Sequence, residues 1–273
     1  MARQYLQAGA RTIAYIDSAP GAGPRHTLVL AHAFPLGAQM WEPQLRAMPE
    51  GWRLIALDLR GFGGSTDPEP DSSMPSLDEY ADDMVDLVEG LELDSVVIGG
   101  LSMGGYVALA VMRRQPEWAR GLVLADTRAG ADTSEGRAAR RGMLALLDRE
   151  GPQGIAQEMM PKLLGKTTIE TNPDATETVR RLIKGQSPAA IRGAILRMKD
   201  RPDATPGLAA IGVPTLVIVG EEDVLTPPAE SEALAAAIPD ALLVTLLGAG
   251  HLSSLESPDA FTAALAAFLQ ERF

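Results

Sequence analysis

The stretch VVIGGLSMGGYVAL, Val96 to Leu109, decides the fold, because a β-branched apolar run passes through a cluster of glycines directly into a helical pattern. Within it, Gly100 to Gly104 match G-x-S-x-G, in which small residues allow a sharp strand-to-helix turn. Such a turn strains the backbone of the central Ser102 and lifts its hydroxyl group towards the N–H groups of the helix N-terminus. The pattern predicts a nucleophilic serine; the alternative is a glycine-rich turn with an incidental serine.

Short β-branched runs alternate with helical patterns along most of the chain. Runs that are apolar at nearly every position are typical of parallel strands covered by helices on both faces. The opening QYLQAGARTIAYIDS alternates around Gly9 instead, which predicts an antiparallel hairpin at one edge. The repeated strand–helix units predict an α/β fold with a right-handed, doubly wound, mostly parallel sheet. The predicted parallel strands are His26–Ala33, Arg53–Leu59, Ser95–Ser102, Gly121–Thr127, Thr215–Asp223 and Ala241–Gly248.

Helices are predicted between these strands from apolar spacing and capping residues. One begins behind Ser76, where Glu79 follows three residues later as in a capping box. The polar stretch EPDSSMPS after Pro68 predicts a surface loop. Further helices are predicted at about Met103–Gln115, at Pro228–Ala237 and from Ser257-Pro258 to Phe273.

Residues 127–205 interrupt the alternation, because they contain helical patterns and no strand pattern. They carry 14 Lys and Arg against 10 Asp and Glu, whereas the rest of the chain carries 10 against 26. Ordinary crossover helices would need intervening strands, so we interpret the segment as a helical lid inserted into a core of residues 1–126 and 206–273. The helical patterns cover 133–150, 154–164, 175–185 and 188–200.

Methionines in this segment are candidates for lining an adaptable acyl pocket. Methionine fills irregular apolar spaces because its side chain is unbranched and flexible. Filling the cores of the helices is the commoner role for such residues, and both interpretations stay open here. The candidates are Met143, Met159, Met160 and Met198.

Composition excludes several kinds of site and partner. The absence of cysteine excludes disulfides, thiolate metal sites and a cysteine nucleophile. A net charge of −12 and a pI near 4.7 would repel nucleic acid and anionic membranes, so we expect neither as a partner. Without a leader-like or membrane-spanning apolar run, a cytoplasmic protein is expected. Three widely spaced histidines form no recognisable ligand cluster, so we expect neither a metal nor another cofactor.

A serine nucleophile needs a base, and the chain has three histidines. His26 stands at the very start of a predicted strand and is expected at the surface, whereas His32 ends that strand and is expected to brace the following loop. His251 lies in LLGAGHLSSLESP, directly after the last predicted strand. Loops at the carboxyl ends of parallel strands carry ligands and catalytic groups in doubly wound proteins. His251 is therefore the predicted base, with an ordinary surface-loop histidine as the alternative.

The predicted acid lies after the preceding strand, in VIVGEEDVLTPP. Asp223 ends that buried run before a proline-assisted helix start, where its carboxylate could orient the imidazole and offset its charge. Glu221 and Glu222 are close rivals, and Asp126 in LVLADT is a weaker one. A simple turn-forming role for Asp223 also stays open. The order serine, aspartate, histidine along the chain is the one expected for a serine on a strand-to-helix turn.

With a serine turn, then an acid and a histidine after the last two strands, nearly the whole chain resembles the α/β-hydrolase family. HAFPLGAQMW and GLSMGGYVALA are similar to stretches of serine carboxylesterases and 3-oxoadipate enol-lactonases. The resemblance implies an eight-stranded sheet with a helical lid, and an oxyanion hole formed by the N–H groups of Phe34 and Met103. Ala33 replaces the usual glycine of that loop. In DLRGFGGS the resemblance implies structural roles for Asp58 and Arg60.

The chemistry that this resemblance implies is hydrolysis of small-molecule carboxylic esters or lactones through an acyl-enzyme. Ser102 attacks the carbonyl while His251 takes its proton, and a water molecule then frees the acid. A serine nucleophile disfavours the dehalogenase and epoxide-hydrolase branches, which use an aspartate. Enol-lactone hydrolysis, cofactor-free perhydrolysis and carbon–carbon bond hydrolysis are alternatives with the same triad. A non-catalytic ligand-binding protein is the alternative of another class.

Overall fold

Parallel strands form the centre of the protein, seen in a computed structural model that describes residues 1–21, 26–67 and 75–273. The strands are β1 Arg3–Ala8, β2 Arg11–Asp17, β3 His26–Ala31, β4 Trp52–Leu57, β5 Val96–Leu101, β6 Ala119–Ala125, β7 Thr215–Gly220 and β8 Ala241–Leu246. They form one eight-stranded sheet in the order β1-β2-β4-β3-β5-β6-β7-β8. The hairpin of β1 and β2 joins β4 antiparallel, and the pairings from β4 to β8 are parallel. The predicted doubly wound, mostly parallel sheet is confirmed.

Three strands end before the aspartates that the sequence analysis placed inside them. β4 ends before Asp58, β6 before Asp126 and β7 before Asp223. Asp126 has φ 44°, which a strand cannot accommodate. The carboxylates of Asp58 and Asp126 accept backbone N–H groups of Ala38 at 2.7 Å and Gly220 at 2.8 Å. The predicted strand ends were therefore too late, because these polar residues leave the ladder to bind neighbouring segments.

Helices connect and cover the strands. They are α1 Glu42–Arg46, α2 Asp78–Gly90, α3 Met103–Met112, α4 Ser134–Leu163, α5 Lys166–Thr171, α6 Pro173–Lys184, α7 Pro188–Lys199, α8 Pro228–Ala237, α9 Ser253–Glu256 and α10 Pro258–Arg272, with 3-10 turns at Ala38–Trp41 and Thr205–Ala210. α8 has its predicted bounds, and α3 ends three residues before the predicted position. None of the helices in the described ranges is long and apolar enough to cross a bilayer.

The start of α2 shows the predicted contacts of a capping box in part. The Glu79 carboxylate accepts the N–H of Ser76 at 3.1 Å, and the Ser76 hydroxyl oxygen accepts the N–H of Asp78 at 3.2 Å. The loop predicted at residues 69–76 lies mostly outside the described residues.

The central elements are buried on all sides. β5 and β7 are buried at every position, and so are all residues of α3. α1 packs against α10, and α2 packs against α3. Trp41, Phe62, Tyr80 and Phe261 are among the largest fully buried side chains. Helical cover on both faces explains why the central strands are apolar at consecutive positions instead of alternating.

The turn at Ser102 joins β5 to α3. Two residues before the serine and two residues after it, the backbone leaves no room for a side chain. A Cβ at Gly100 would lie 2.4 Å from the carbonyl carbon of Gly104, and a Cβ at Gly104 would lie 2.2 Å from the backbone oxygen of Ala31. Ser102 has φ 55° and ψ −110°, a conformation that residues with side chains rarely adopt. The close approach of α3 to β3 and β5 therefore fixes the backbone of the serine.

Helices α4 to α7 lie between β6 and β7, in the segment interpreted from sequence as a lid. The first two predicted helices are both present in α4, which is kinked at Gly151, where φ 63° and ψ −162° are not helical. The structure adds α5, which the sequence analysis did not predict. Its sequence KTTIET contains little apolar surface, and Thr168 is its buried residue. A short polar helix of this kind gives no periodic apolar signal.

Buried arginines fasten this helical segment to the rest of the protein. Arg201, which follows α7, donates to Asp132 at 2.5 Å and thereby joins the two ends of the segment. Arg197 in α7 pairs with Asp67 at 3.0 Å and with Glu79 at 2.9 Å. The side chains of Arg197 and Arg201 are only 1% and 2% exposed. Arg197 therefore ties the segment to α2 and to the loop before it, while Arg201 joins the two ends of the segment itself.

The close contact at Gly104 predicts a large loss of stability on substitution. We expect Gly104→Ala to lower the free energy of unfolding by about 3 kcal/mol, because the new methyl group overlaps a backbone oxygen. Gly142→Ala in α4 is the matched control: a Cβ there meets no atom within 4 Å. It should raise stability by about 0.5 to 1 kcal/mol. Urea unfolding of both variants tests this, and equal effects would contradict the steric account.

The charge of Asp132 predicts a pH-dependent contribution to stability. Although burial disfavours that charge, Arg140 and Arg201 lower the pKa of Asp132 from 3.8 to about 2. Since the pKa is lower in the folded state, the charge stabilises the protein above about pH 4, and this stabilisation is lost as the pH falls towards 2. We expect Asp132→Asn to reduce the free energy of unfolding by about 2 kcal/mol at pH 7.

Urea unfolding between pH 7 and pH 3 measures this contribution. The difference between Asp132→Asn and the unsubstituted protein should narrow below about pH 4. Asp94→Asn, which alters an exposed carboxylate, serves as the control. A loss of stability in Asp132→Asn that stayed constant with pH would show that the charge of Asp132 does not cause it.

Candidate active site

Three side chains from separate loops meet at the carboxyl edge of the sheet. His251 Nε2 lies 2.8 Å from Ser102 Oγ, and His251 Nδ1 lies 2.8 Å from Oδ2 of Asp223. Because a carboxylate can only accept hydrogen bonds, the proton of the imidazole is on Nδ1, and Nε2 accepts a hydrogen bond from the serine hydroxyl. His251 and Asp223 are buried, whereas Ser102 is partly exposed. The structure thus brings together the serine, acid and histidine that the sequence analysis selected.

Four donors hold the carboxylate of Asp223. Oδ1 accepts the N–H groups of Leu225 at 2.8 Å and Thr226 at 3.0 Å, while Oδ2 accepts the Thr226 hydroxyl at 2.7 Å and the His251 ring. Although burial disfavours its charge, His251 and these hydrogen bonds hold the pKa of the Asp223 carboxyl below its usual value. The carboxylate therefore stays ionised beside the imidazole. Sequence reasoning missed Thr226, whose only signal is its place before Pro227 and Pro228, where α8 begins.

The two glutamates before Asp223 bind other segments. Glu221 accepts the N–H of Gly248 at 3.0 Å. Glu222 accepts the N–H of Thr167 at 2.9 Å and the hydroxyl of Thr167 at 2.6 Å. Among these three consecutive acidic residues, Asp223 is thus the one whose carboxylate contacts the ring of His251.

Asp126, the remaining rival, lies buried at the end of β6. It accepts the N–H of Gly220 at 2.8 Å and the hydroxyl of Ser253. Burial and the negative charge of Asp223 raise the pKa of Asp126 well above its usual value. Its contacts link β6 and β7 to the first residue of α9, and within the described ranges they do not include the histidine ring.

His32 braces the loop after β3. Its Nε2 accepts the N–H of Leu59 at 3.2 Å, so Nδ1 carries the proton and donates to the carbonyl oxygen of Ala33 at 2.9 Å. Burial lowers the pKa of His32, which favours this neutral form. The contacts are those expected for the bracing role predicted from sequence. His26 lies at the opposite end of β3 and stacks on Trp52.

Asp58 and Arg60 organise neighbouring loops, as the resemblance implied. The carboxylate of Asp58 accepts a hydrogen bond from the N–H of Ala38 and another, at 2.7 Å, from Arg3 Nε. Arg60 donates to both carboxylate oxygens of Asp83, at 2.8 and 2.7 Å. These contacts hold the loop after β3 and the start of α2 in place.

Two backbone N–H groups are candidates for stabilising an oxyanion. Met103 is the first residue of α3, where an N–H has no partner within the helix. Phe34 lies in the loop after β3 and lines the cavity beside Ser102. Within the described residues, neither N–H donates to a backbone carbonyl group. Both predicted donors are thus left available beside the serine turn.

Glu256 ties the histidine loop to the helical segment. Its Oε2 accepts the N–H groups of Gly165 at 2.8 Å and Gly250 at 3.0 Å, and its Oε1 accepts the N–H of Leu252 at 2.9 Å. A Cβ at Gly250 would lie 2.1 Å from the nitrogen of Gly165, so the two backbones touch. The carboxylate therefore orients both neighbours of His251. Nothing in the sequence pointed to Glu256, because its partners are backbone groups.

A cavity of about 220 Å³ opens beside the serine and histidine. Pockets for drug-sized ligands usually measure about 300 to 1,000 Å³, so this cavity suits small molecules. Three of the four candidate methionines line it, and Met160 lies elsewhere, at a separate surface cavity. The lining methionines are Met143, Met159 and Met198.

Charged side chains form another part of the cavity lining, contributed by Arg128, Asp132, Arg140 and Lys162. The sequence analysis found the basic surplus of residues 127–205 but did not identify these positions, because charge patterns do not reveal which helix face points inward. In the part of the chain that the structure describes, no group of His, Asp and Glu side chains is arranged to hold a metal ion.

Comparisons with known proteins agree with this architecture. 3-Oxoadipate enol-lactonase 2 of Acinetobacter baylyi is 26% identical over 250 residues, which cover 92% of this chain and 91% of that protein. A thermophilic esterase from Thermogutta terrifontis, solved with malate bound, is 37% identical with a TM-score of 0.91, covering 99% of both chains. The enol-lactonase from Burkholderia xenovorans LB400 is 26% identical with a TM-score of 0.88, covering 98% of this chain and 100% of that one.

The family assignment follows from a match that spans most of the chain. Residues 28–264 match the sequence profile of the alpha/beta hydrolase family. This range runs from the third strand of the sheet to the C-terminal helix and includes the serine, aspartate and histidine described above. The chain therefore belongs to the alpha/beta hydrolase family, as its serine turn and the order of its three polar residues predicted.

Proposed function

We propose that this protein is a serine hydrolase that cleaves carboxylic esters of small molecules through an acyl-enzyme. The proposal is carried by the two 2.8 Å hydrogen bonds that connect Ser102, His251 and Asp223. A serine hydroxyl is a weak nucleophile unless a neighbouring base takes its proton. The esterase and enol-lactonase relatives support hydrolysis of an ester linkage.

Acylation uses all three side chains. Ser102 Oγ attacks the ester carbonyl carbon while His251 Nε2 takes the hydroxyl proton, and ionised Asp223 stabilises the imidazolium that forms. The carbonyl oxygen becomes an oxyanion facing the N–H groups of Phe34 and Met103, each of which contributes about 3 kcal/mol to the transition state. His251 then donates its proton to the departing alkoxide, and the alcohol leaves.

Deacylation repeats these steps with water. His251 takes a proton from the water molecule as its oxygen attacks the acyl carbon, and the second oxyanion uses the same two N–H groups. Collapse breaks the bond to Ser102 Oγ, which recovers its proton from His251. The carboxylic acid is released, and the enzyme returns to its starting state.

In this proposal residues 127–205 act as a lid on the core of residues 1–126 and 206–273. Side chains from α4 and α7 line the cavity opposite the serine turn. A covered cavity limits the access of water and strengthens electrostatic interactions inside it. Its small volume favours small acyl and alcohol groups.

Opening of a small enol-lactone is a second candidate activity. A lactone is a cyclic ester, so the same serine, histidine and N–H groups perform the same steps. The observation that favours it is the similarity over nearly the full chain to two proteins named enol-lactonases. Initial rates with a neutral short-chain ester and with an enol-lactone distinguish the two activities.

Removal of the proposed nucleophile should abolish turnover. We expect Ser102→Ala to lower kcat for p-nitrophenyl acetate by about 10⁶-fold, since nothing else replaces the attacking oxygen. A fluorophosphonate probe should label the peptide that contains Ser102 in the unsubstituted protein and in Ser95→Ala, which alters an exposed serine. Undiminished hydrolysis by Ser102→Ala would refute the mechanism. Absence of both turnover and labelling in the unsubstituted protein would favour a ligand-binding protein.

The two buried aspartates should differ sharply in their effect on activity. We expect Asp223→Asn to lower kcat by about 10⁴-fold, because the amide favours the wrong imidazole tautomer. Asp126→Asn should keep kcat within about tenfold, since the raised pKa of Asp126 already favours a neutral group there. Steady-state kinetics at pH 7 with p-nitrophenyl acetate measure both. The reverse order of effects would assign the acid role to Asp126.

A further inference from the structure

One wall of the cavity beside Ser102 carries an excess of positive charge. Arg128, Arg140 and Lys162 line the cavity, and Asp132 is the one acidic residue in the described lining. Lys162 pairs with Glu158 in an exposed ion pair, so its charge is balanced there. The chain as a whole has a net charge of −12. The cationic wall therefore belongs to the basic helical segment of residues 127–205 and contrasts with the acidic remainder of the chain.

The carboxylate of Asp132 is shared by three guanidinium groups. It lies 3.1 Å from Arg128, 3.0 Å from Arg140 and 2.5 Å from Arg201. Arg201 is almost fully buried and already balances this charge while it joins the two ends of the helical segment. Within the described ranges, no second carboxylate forms an ion pair with Arg128 or Arg140. Three guanidinium groups thus share one carboxylate, which leaves this cluster with an excess of positive charge beside the cavity.

Hydrogen-bond donors on the same two arginines are also unused. Arg128 Nε is buried and has no partner among the described residues. Arg140 contacts Asp132 through Nε, and its terminal nitrogens make no hydrogen bond within that part of the chain. A buried donor without an acceptor is unusual in a folded protein, and Arg201 Nε in the same cluster is a second one. An anionic oxygen ligand in the cavity would accept hydrogen bonds from the terminal nitrogens of Arg140 and offset the excess charge of the cluster.

We propose that the substrate carries a free carboxylate in addition to its ester, and that this carboxylate binds Arg128 and Arg140 while the ester carbonyl lies at Ser102. This inference rests on the proposed function, whose substrate class it specifies. Guanidinium groups bind carboxylates through paired, charge-assisted hydrogen bonds. The cavity of about 220 Å³ has room for the half-ester of a short dicarboxylic acid, with its methylene groups against the lining methionines.

A pair of nearly isosteric substrates tests the carboxylate subsite. Monomethyl glutarate carries the carboxylate, and methyl glutaramate replaces it with a neutral amide. We expect kcat/KM to be at least about tenfold higher for the acid, as for a hydrogen-bonded charge. Arg140→Gln should remove most of this preference by lowering kcat/KM for the acid, while kcat/KM for the amide changes by less than about threefold.

Arg141→Gln is the matched control for Arg140→Gln. It removes the same charge from the next residue of α4, which is exposed and does not line the cavity. The preference for the acid should survive in this variant. Arg128→Gln provides an independent second test and should reduce the preference as Arg140→Gln does. Equal effects of Arg140→Gln and Arg141→Gln would overturn the subsite.

Calorimetric titration of the Ser102→Ala variant separates this inference from the proposed mechanism. The variant should bind monomethyl glutarate at least about tenfold more tightly than methyl glutaramate, and Arg140→Gln in that background should abolish the difference. Equal affinities would overturn the carboxylate subsite and leave the serine mechanism standing. Hydrolysis by Ser102→Ala would instead overturn the mechanism, while the difference in affinity would still report on the subsite.

Discussion

The contact of α3 with β3 and β5 is the constraint on which the rest of the site depends. The backbone of the helix lies so close to the strands that residues 100 and 104 admit no Cβ, and Ser102 is held at φ 55°. The position of the serine hydroxyl is thus set by packed backbone. His251 and Asp223 reach this fixed point from loops far along the chain: Asp223 follows the buried strand β7, and His251 follows the edge strand β8.

The site contains several buried carboxyl groups, which differ in their charge and in their hydrogen-bond partners. Asp223 keeps its charge because the imidazole and a cluster of donors surround it, whereas burial and the neighbouring charge of Asp223 favour the neutral form of Asp126. Glu256 is satisfied by three backbone N–H groups. Asp132 is shared among arginines in the cavity wall. Local partners, more than residue type, decide what each carboxyl group does.

Much of the fold and the central residues of the site could be predicted from the sequence. Apolar runs and glycine spacing predicted the strands and the turn at Ser102, because burial and steric exclusion act on neighbouring residues. Strand ends were predicted too late where Asp126 and Asp223 leave the sheet, since hydrogen bonds to distant segments determine those positions. Glu256 and Arg128 could not be found, because their surroundings arise only when the helical segment meets the core.

The carboxylate of Glu256 has a consequence for motion. It binds the backbone of Gly165, which belongs to the covering segment, and the backbone on both sides of His251. Of its three N–H partners, one lies in the helical segment and the other two lie on either side of the imidazole. One carboxylate therefore anchors residue 165 and the loop around the imidazole together, so that a displacement of either backbone strains the hydrogen bonds of the other.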